Sequence, residues 1–311
     1  MSFAEQERAL FDLLFDQPLR ERFLAHSTAA LADYQLTPAE LADFHRIRPE
    51  GLMVDVELRV DQILTHFCRQ FPLTFSLISS LPTGMDQLRR LVNRQTMLQP
   101  PEDRATQFGL QLQEQLTKLT AQCDPAFQAM LEASVATELG LTWTSATLKK
   151  QLLTNPASVE HPQIPGNAVI DNDWIDRPVK LAAQVAAALL PQPYSRMKKQ
   201  FCPAAGIQLW AHLSNNPAAH AKIKAALTTE QPSLFISRVY AHKTTPCESQ
   251  IDQITLELND GFAPLLQQLD GNHSVNQILD NLVDVGASDS IAASVKAGFK
   301  QLLESSIIEV T

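Results

Sequence analysis

The side chains in this sequence that are best suited to nucleophilic chemistry are Cys68 and its near neighbour His66. Cysteine catalysis requires a histidine base within hydrogen-bonding reach of the thiol. The apolar spacing of this region predicts a helix, and residues two apart on a helix point in directions that differ by about 200°. His66 therefore faces away from Cys68, and we expect Cys68 to be a buried thiol without a catalytic role.

Carboxylates and histidines offer a second kind of chemistry, the binding of metal ions. Asp171, Asp173 and Asp176 form an acidic cluster, but their spacing does not match a calcium-binding loop, and we expect a solvated capping loop there. The eight histidines are scattered and lack the short spacing of metal ligands. The motifs HExxH, GxSxG and GxGxxG are absent, and so is a P-loop. We therefore predict no catalytic residue, metal or cofactor in this chain, and a protein whose work is binding.

Composition and charge narrow the kind of partner. The 311 residues suffice for two domains, and the 45% content of hydrophobic residues allows a sizeable core. The net charge of −9 is unfavourable for binding a phosphate backbone, so we predict no nucleic-acid partner. Met1–Glu5 does not resemble the start of a signal peptide, and no apolar run reaches the roughly 18 residues of a membrane span. These two observations, together with four cysteines that form no CxxC pair, predict a cytoplasmic protein with no membrane partner.

Residues 1–153 are predicted to form a helical domain. The segment Thr37–Glu40 combines a capping hydroxyl, a proline and a glutamate, which is a strong signal for the start of a helix. Pro72 is expected to end or kink the apolar helix that occupies Leu52–Leu77. Residues 154–229 are predicted to be a mixed connecting region, which begins with a proline-containing loop.

Two segments of the connecting region have an apolar pattern. The alanine-rich segment Val179–Leu190 predicts a helix, because alanine has the highest helix propensity. Ile207–Leu213 alternates between apolar and polar residues, which is typical of a strand, although a helix remains open.

Residues 230–311 predict a small α+β module. Its predicted elements are, in chain order, a strand at Leu234–Tyr240, a polar loop at Lys243–Gln250, a strand at Ile254–Asn259, three short helices and a strand at Ile307–Val310. Asn259 is expected to cap the first helix, and Ser274 with Gln277 forms a capping box for the second. The order is typical of a winged-helix-like module, so the fold class is α+β with a mainly helical N-terminal domain.

This module resembles the PqqD family over roughly residues 232–311. The matching residues are Leu258-Asn259, Leu265-Leu266, Leu269-Asp270-Gly271, Val275, Ile278-Leu279, Leu302 and Ile308-Glu309-Val310. Members of that family recognise the leader segments of ribosomally made, modified peptides. The resemblance therefore implies a peptide-recognition module and a ribosomally made precursor peptide as partner.

A second resemblance lies in the helical domain. Val54–Arg59 leads into Ile63–Phe67, and Phe71-Pro72-Leu73-Thr74 follows, which is similar to the partner subunits of multinuclear non-haem iron oxidases. Such partners act in 3-thiaglutamate and methanobactin biosynthesis. The resemblance implies a separate TIM-barrel oxidase subunit that holds the iron and modifies a cysteine of the precursor. It also implies that residues 1–153 dock on that oxidase.

The two resemblances together imply a binding site for the leader peptide. We expect the leader to add as a strand to an exposed edge of the C-terminal sheet. The candidate peptide-binding residues are Leu234, Phe235, Ile236, Ser237, Arg238, Val239, Tyr240, Lys296 and Lys300. The two lysines are expected to complement an acidic leader. The alternative is a winged-helix regulator that binds DNA, although the third helix offers few basic residues for this.

Overall fold

The computed structural model describes residues 3–159, 170, 173–202, 214–227, 232–245, 248–284 and 286–311. Within them the chain is a mixed α+β protein with two three-stranded antiparallel sheets. The predicted α+β class is therefore confirmed.

The helices and strands have the following bounds. The helices are α1 (Phe3–Phe15), α2 (Gln17–His26), α3 (Pro38–His45), α4 (Pro49–Gln70), α5 (Pro72–Ser79), α6 (Gly84–Leu91), α7 (Arg94–Met97), α8 (Arg104–Leu119), α9 (Pro125–Thr154), α10 (Tyr194–Phe201), α11 (Pro217–Ala226), α12 (Val275–Asp284) and α13 (Asp289–Glu304). The strands are β1 (Pro178–Leu181), β2 (Val185–Leu190), β3 (Ser233–Thr245), β4 (Glu248–Asn259), β5 (Asp270–Ser274) and β6 (Ile308–Val310). Short 3-10 helices lie at Ser27–Leu31, Pro156–Ser158, Trp174–Asp176 and Asp260–Gln268.

The chain divides into two compact units. Unit 1 comprises Met1–Gln115 with Ala204–His220, and unit 2 comprises Leu116–Pro203 with Ala221–Thr311. The division differs from the predicted boundary near residue 153, because α9 belongs to unit 2, where it packs against β2 and β3. A helix can therefore follow a helical domain in sequence and still belong to the next unit in space.

Local signals explain the helix boundaries of unit 1. The predicted start at Thr37 is confirmed: its hydroxyl accepts from the Glu40 amide at 3.3 Å, and the Thr37 amide donates to the Glu40 carboxylate at 2.7 Å. The predicted break at Pro72 is also confirmed, since α4 ends at Gln70 and α5 begins at the proline. Phe67, Phe71 and Phe75 pack around Phe108 in the core of this unit.

The larger sheet of unit 2 has the strand order β2-β3-β4. The central strand β3 is paired on both sides, so Ile236 lies opposite Ala187 of β2 and opposite Leu256 of β4. On one face Val239 and Ala241 pack with Leu148 of α9. On the other face the sheet shares a core with α12, α13, β1 and β6; its buried members are Trp174, Val179, Leu234, Ile236, Phe262, Leu265, Leu269, Val275, Ile278, Val295, Phe299, Leu302, Ile307 and Ile308. The second sheet, β5-β1-β6, borders that core.

Two sequence predictions in unit 2 are wrong. Val179–Leu190 is β1 and β2 rather than a helix, because both strands gain ladder partners far away in sequence that outweigh alanine's helix propensity. Lys243–Gln250 is mostly strand rather than a polar loop, since the ladder of β3 and β4 continues as far as Thr245 opposite Glu248. The predicted element at Ile207–Leu213 lies outside the described residues.

The two predicted caps of the C-terminal module are confirmed, with one change of helix type, and the strand β5 between the two capped segments is an addition to the predicted elements. Asn259 caps the following segment by accepting from the Gly261 amide at 2.9 Å, but that segment is a 3-10 helix with Pro264 inside it. Ser274 and Gln277 form the predicted capping box of α12, with distances of 2.8 and 3.2 Å.

Candidate functional site

The predicted peptide-binding strand lies in the centre of its sheet. Leu234–Val239 are each at most 3% exposed, because β2 and β4 flank them within the sheet and helices cover both faces. The hydroxyl of Ser237 also donates to the Ile254 carbonyl of β4 at 2.8 Å. The prediction of an exposed edge at this strand is therefore wrong.

The sheet has two edge strands, β2 and β4, and β4 is the longer of the two. The amide of Val239 donates to the Gln184 carbonyl at 3.0 Å, on the side of β3 that faces β2. Backbone groups of antiparallel strands alternate in direction, and Val239 lies opposite Gln253 of β4. The backbone N–H and C=O of Gln253 therefore point away from β3.

The same alternation applies at every second residue of β4. Ile251, Thr255 and Glu257 share the outward direction of Gln253, and we call the outward backbone groups of these four residues the β4 edge. No strand pairs with this side of β4 among the residues that the structure describes. The β4 edge therefore offers a row of donors and acceptors for an added strand.

The side chains of β4 differ between its two faces. The four residues of the β4 edge have their side chains on one face of the sheet, where Gln253 and Thr255 are exposed. Ile254, Leu256 and Leu258 on the opposite face pack against the core and stay only half-buried. A peptide strand alongside β4 could cover the apolar side chains that this edge leaves partly exposed.

A cavity of about 440 Å³ lies on the β2 side of β3, and we call it the β3 cavity. Its lining residues are Leu148, Gln151, Ser158, Val159, Lys180, Leu181, Ala182, Ala183, Gln184, Arg238, Val239, Tyr240, Ala241 and Glu309. Three of the predicted peptide-binding residues, Arg238, Val239 and Tyr240, are thus brought together here. Burial and, to a smaller extent, the charge of Asp252 raise the pKa of Tyr240.

Arg238 is the buried charge of the β3 cavity. Its side chain is 4% exposed, and its Nη2 lies 3.1 Å from the carboxylate of Glu309. Its Nη1 donates to the Ser306 carbonyl. Lys180 lies 3.9 Å from the same Glu309. The remaining donor, Nε of Arg238, is buried without a hydrogen-bond partner among the described residues.

Backbone strain concentrates around this arginine. Within the described ranges, Gln184 and Ser306 are the non-glycine residues with positive φ, at 56° and 53°. Ser306 supplies the carbonyl that Arg238 uses, and Gln184 supplies the carbonyl that the Val239 amide uses. The side chain of Gln184 also donates to Gln151 at 3.0 Å. Residues in this conformation cost of order 1–3 kcal/mol each and are often found at binding sites.

The two predicted lysines lie elsewhere. Lys296 and Lys300 are exposed on α13, and neither lines the β3 cavity. Lys300 lies 3.8 Å from Glu304, one turn further along the same helix. An exposed pair of this kind contributes little stability, so both lysines stay accessible to an acidic partner.

The other candidates for chemistry are not brought together. Cys68 is buried, as predicted. Asp173 and Asp176 are exposed and Asp171 lies outside the described residues, while Asp176 accepts a hydrogen bond from Asn276. In the described part of the chain, no group of three His, Cys, Asp or Glu side chains is placed to hold a metal ion.

Helix α9 contains a buried acid that no sequence pattern indicates. Glu138 is fully buried and accepts from the hydroxyl of Tyr194 at 2.6 Å. The ring of Tyr194 packs edge-on against Phe235 at 5.0 Å. Burial, followed by the charge of Glu138, raises the pKa of Tyr194 above its ordinary value. The pair joins α9, α10 and β3, and only their tertiary contact reveals it.

Replacement of Tyr194 by phenylalanine is expected to lower the free energy of unfolding by about 1–3 kcal/mol at pH 7, because Glu138 loses a donor while the ring packing stays. Since the folded state raises the tyrosine pKa, this stabilisation is present below roughly pH 10 and declines above it. Urea denaturation at pH 7 and above roughly pH 10 measures the effect. Tyr240→Phe is the matched control, with an expected change within about 0.5 kcal/mol at pH 7. Equal stability of Tyr194→Phe and the unmodified chain would contradict this account.

No protein-family model matches the chain, and comparison with curated proteins and with solved structures gives no match either. Among the described residues, the helices are too short or too polar to cross a membrane.

Proposed function

We propose that this chain is a non-catalytic recognition and scaffold subunit in the biosynthesis of a ribosomally made, modified peptide. It binds the leader of the precursor and presents the precursor's cysteine to a partner iron-dependent oxidase, in a modification of the 3-thiaglutamate or methanobactin type. Residues 230–311 serve as a PqqD-like, winged-helix-like recognition module. The two sequence resemblances and the open edge of β4 support this proposal.

The β4 edge is the observation that carries peptide recognition. An extended peptide that adds to a sheet edge gains backbone hydrogen bonds along its length, and pockets for alternate side chains set its register. Four residues of β4, from Ile251 to Glu257, direct their backbone groups outward. The predicted mode of recognition is therefore retained, and its location moves from β3 to β4.

The half-buried residues of β4 supply the apolar part of the recognition surface. Ile254, Leu256 and Leu258 alternate along the strand and border the core of unit 2. Apolar side chains at every second position of the leader would cover them. Burial of apolar area stabilises such a complex by roughly 25 cal/mol per Å² before the cost of ordering the peptide.

Tethering explains why a recognition subunit serves the oxidase. A leader held on this chain raises the local concentration of the precursor's cysteine at the iron site of the partner. The helices of unit 1 are the proposed docking surface for the oxidase barrel, which holds the iron. A permanent interface of this kind is expected to be large and rather apolar.

The genes that neighbour this one provide the first test. An iron-oxidase barrel and a short cysteine-containing peptide encoded beside it are expected. A synthetic leader of that peptide should then bind the purified chain with micromolar affinity or better, about −8 kcal/mol. Fluorescence anisotropy measures the binding, with a scrambled leader as the control. Sequence-specific binding of duplex DNA without binding of the leader would support the DNA-binding regulator instead.

Co-expression with that oxidase is expected to give a stable heterodimer. A single co-eluting peak in size-exclusion chromatography at micromolar concentration is the predicted result, with iron bound to the oxidase. Independent elution of the two proteins would contradict the proposed scaffold role. Leader binding is tested separately by the anisotropy measurement.

A further inference from the structure

We propose that the β3 cavity is a binding site for a carboxylate group, held by the Nε–H of Arg238 and the ammonium group of Lys180. The site goes beyond the proposed leader recognition, since the cavity lies on the β2 side of β3 and the β4 edge lies on the opposite side of the sheet. Its ligand is an organic molecule with one carboxylate and an apolar body.

The donors of Arg238 are only partly used by the protein. Glu309 occupies Nη2 at 3.1 Å, and the Ser306 carbonyl occupies Nη1. Nε is buried and has no hydrogen-bond partner among the described residues, although Arg238 lines the cavity. A buried donor without an acceptor destabilises a folded protein. Because Nε itself has almost no accessible surface, the Arg238 side chain must shift slightly for a carboxylate in the cavity to reach it, and that contact would remove the cost. A carboxylate is a strong acceptor for a guanidinium N–H.

The charges of the lining favour an anion. Lys180 and Arg238 are positive and Glu309 is negative, so the charged lining residues carry a net charge of +1. This local excess stands out in a chain with a formal net charge of −9. Lys180 is 3.9 Å from Glu309 and its side chain is 49% exposed, so its ammonium group is free to turn toward a ligand. A single carboxylate would balance the charges of the cavity.

The shape and the remaining lining define the body of the ligand. About 440 Å³ falls within the range of sites for small organic molecules. Leu148 and Val159 are buried side chains that offer an apolar wall. The hydrogen-bonded side chains of Gln151 and Gln184 offer polar groups at the same cavity. An acylated amino acid, or the C-terminal residues of a peptide, combines an apolar body, an amide and one carboxylate.

Isothermal titration calorimetry on the full chain tests the proposal with N-acetylleucine as probe and its neutral amide as control. The acid is expected to bind at least about tenfold more tightly than the amide, a difference of about 1.4 kcal/mol. Equal affinity for the two, or no binding of the acid at concentrations up to about 10 mM, would overturn the proposal.

Variants separate ligand binding from a purely structural role of these charges. Lys180→Gln is expected to weaken binding of the acid about tenfold, whereas Glu309→Gln, which removes a competing carboxylate, is expected to strengthen it. Lys222→Gln, an exposed cation that does not line the cavity, is the matched control. Arg238→Gln should abolish binding if circular dichroism shows that it folds. If it does not fold, opposite shifts in Lys180→Gln and Glu309→Gln support the site, and unchanged affinity in both overturns it.

The source of the carboxylate is distinguished by a second comparison. A pentapeptide that ends in leucine and its C-terminal amide are titrated beside N-acetylleucine. Tighter binding of the peptide acid than of N-acetylleucine identifies a peptide C-terminus as the ligand, whereas binding of N-acetylleucine alone identifies a small organic acid. Lys180→Gln should leave binding of the leader unchanged, so failure of this site is distinguishable from failure of the proposed function.

Discussion

A chain that ends before residue 232 is expected to lose the folded structure of unit 2. The truncation removes β3 and β4, and with them the partner of β2 and the buried residues Leu234, Ile236 and Phe299 of the core. It also exposes the face of α9 that packs against β3. Each such side chain contributes about 2–5 kcal/mol, so the loss of the whole set exceeds the roughly 5–15 kcal/mol of stability that a domain normally has.

Hydrogen exchange of α9 measures this effect. Its buried central amides, around Val135 and Glu138, should exchange slowly in the full chain and rapidly in the truncated one. The amides of α4 in unit 1 serve as an internal reference. Continued protection of α9 in the truncated chain would show that unit 2 does not depend on β3 and β4. Loss of leader binding by the truncated chain would therefore follow from the loss of unit 2 as a whole.

Gln253→Pro is expected to weaken leader binding by roughly 100-fold, or about 2.8 kcal/mol, without unfolding the chain. Proline at this position removes an outward N–H of the β4 edge, and an added strand would lose that donor. The pairing of β4 with β3 does not use the lost donor, because Val239 and Gln253 form a pair that is not hydrogen-bonded across the two strands. Fluorescence anisotropy measures the affinity, and circular dichroism confirms the fold.

Two further substitutions control for side-chain and folding effects. Gln253→Thr keeps the backbone N–H and should bind the leader with nearly unchanged affinity. Asp252→Pro removes an inward donor, since Asp252 is paired with Tyr240 of β3, and should lower the stability of unit 2. Unchanged leader affinity in Gln253→Pro would exclude strand addition at the β4 edge.

The elements that the sequence predicts correctly are those that local signals define. The capping residues Thr37, Asn259 and Ser274 begin their helices as expected, and Pro72 separates α4 from α5. Each signal acts within about four residues of the chain, so no tertiary partner is needed to interpret it. The helical character of residues 1–153 follows for the same reason.

The predictions that fail concern contacts between distant segments. Val179–Leu190 has alanines that favour a helix, and only the pairing with β3 and β6 makes it two strands. Without β2, Leu234–Tyr240 is mistaken for an edge strand. The run Leu234-Phe235-Ile236 does indicate a central strand, since consecutive apolar residues are typical of a strand buried on both faces.

The charged groups of the candidate site were missed in part for a similar reason. The sequence predicts Arg238 as a peptide contact, but its burial beside Glu309 depends on β6 meeting β3 at the β3 cavity. Glu138 lies on a helix whose sequence gives no sign that Tyr194 of α10 will reach it. Buried charges are uncommon and require partners. Here the partners are distant in sequence: Tyr194 is 56 residues from Glu138, and Glu309 is 71 residues from Arg238.

Amide hydrogen exchange of the full chain, with and without the leader peptide, tests the central claim most directly. The outward amides of Ile251, Gln253, Thr255 and Glu257 should exchange rapidly in the free chain and slowly in the complex. The inward amides of Asp252 and Ile254 should change little, because β3 already protects them. A complex that forms while the outward amides keep exchanging rapidly would contradict recognition at the β4 edge.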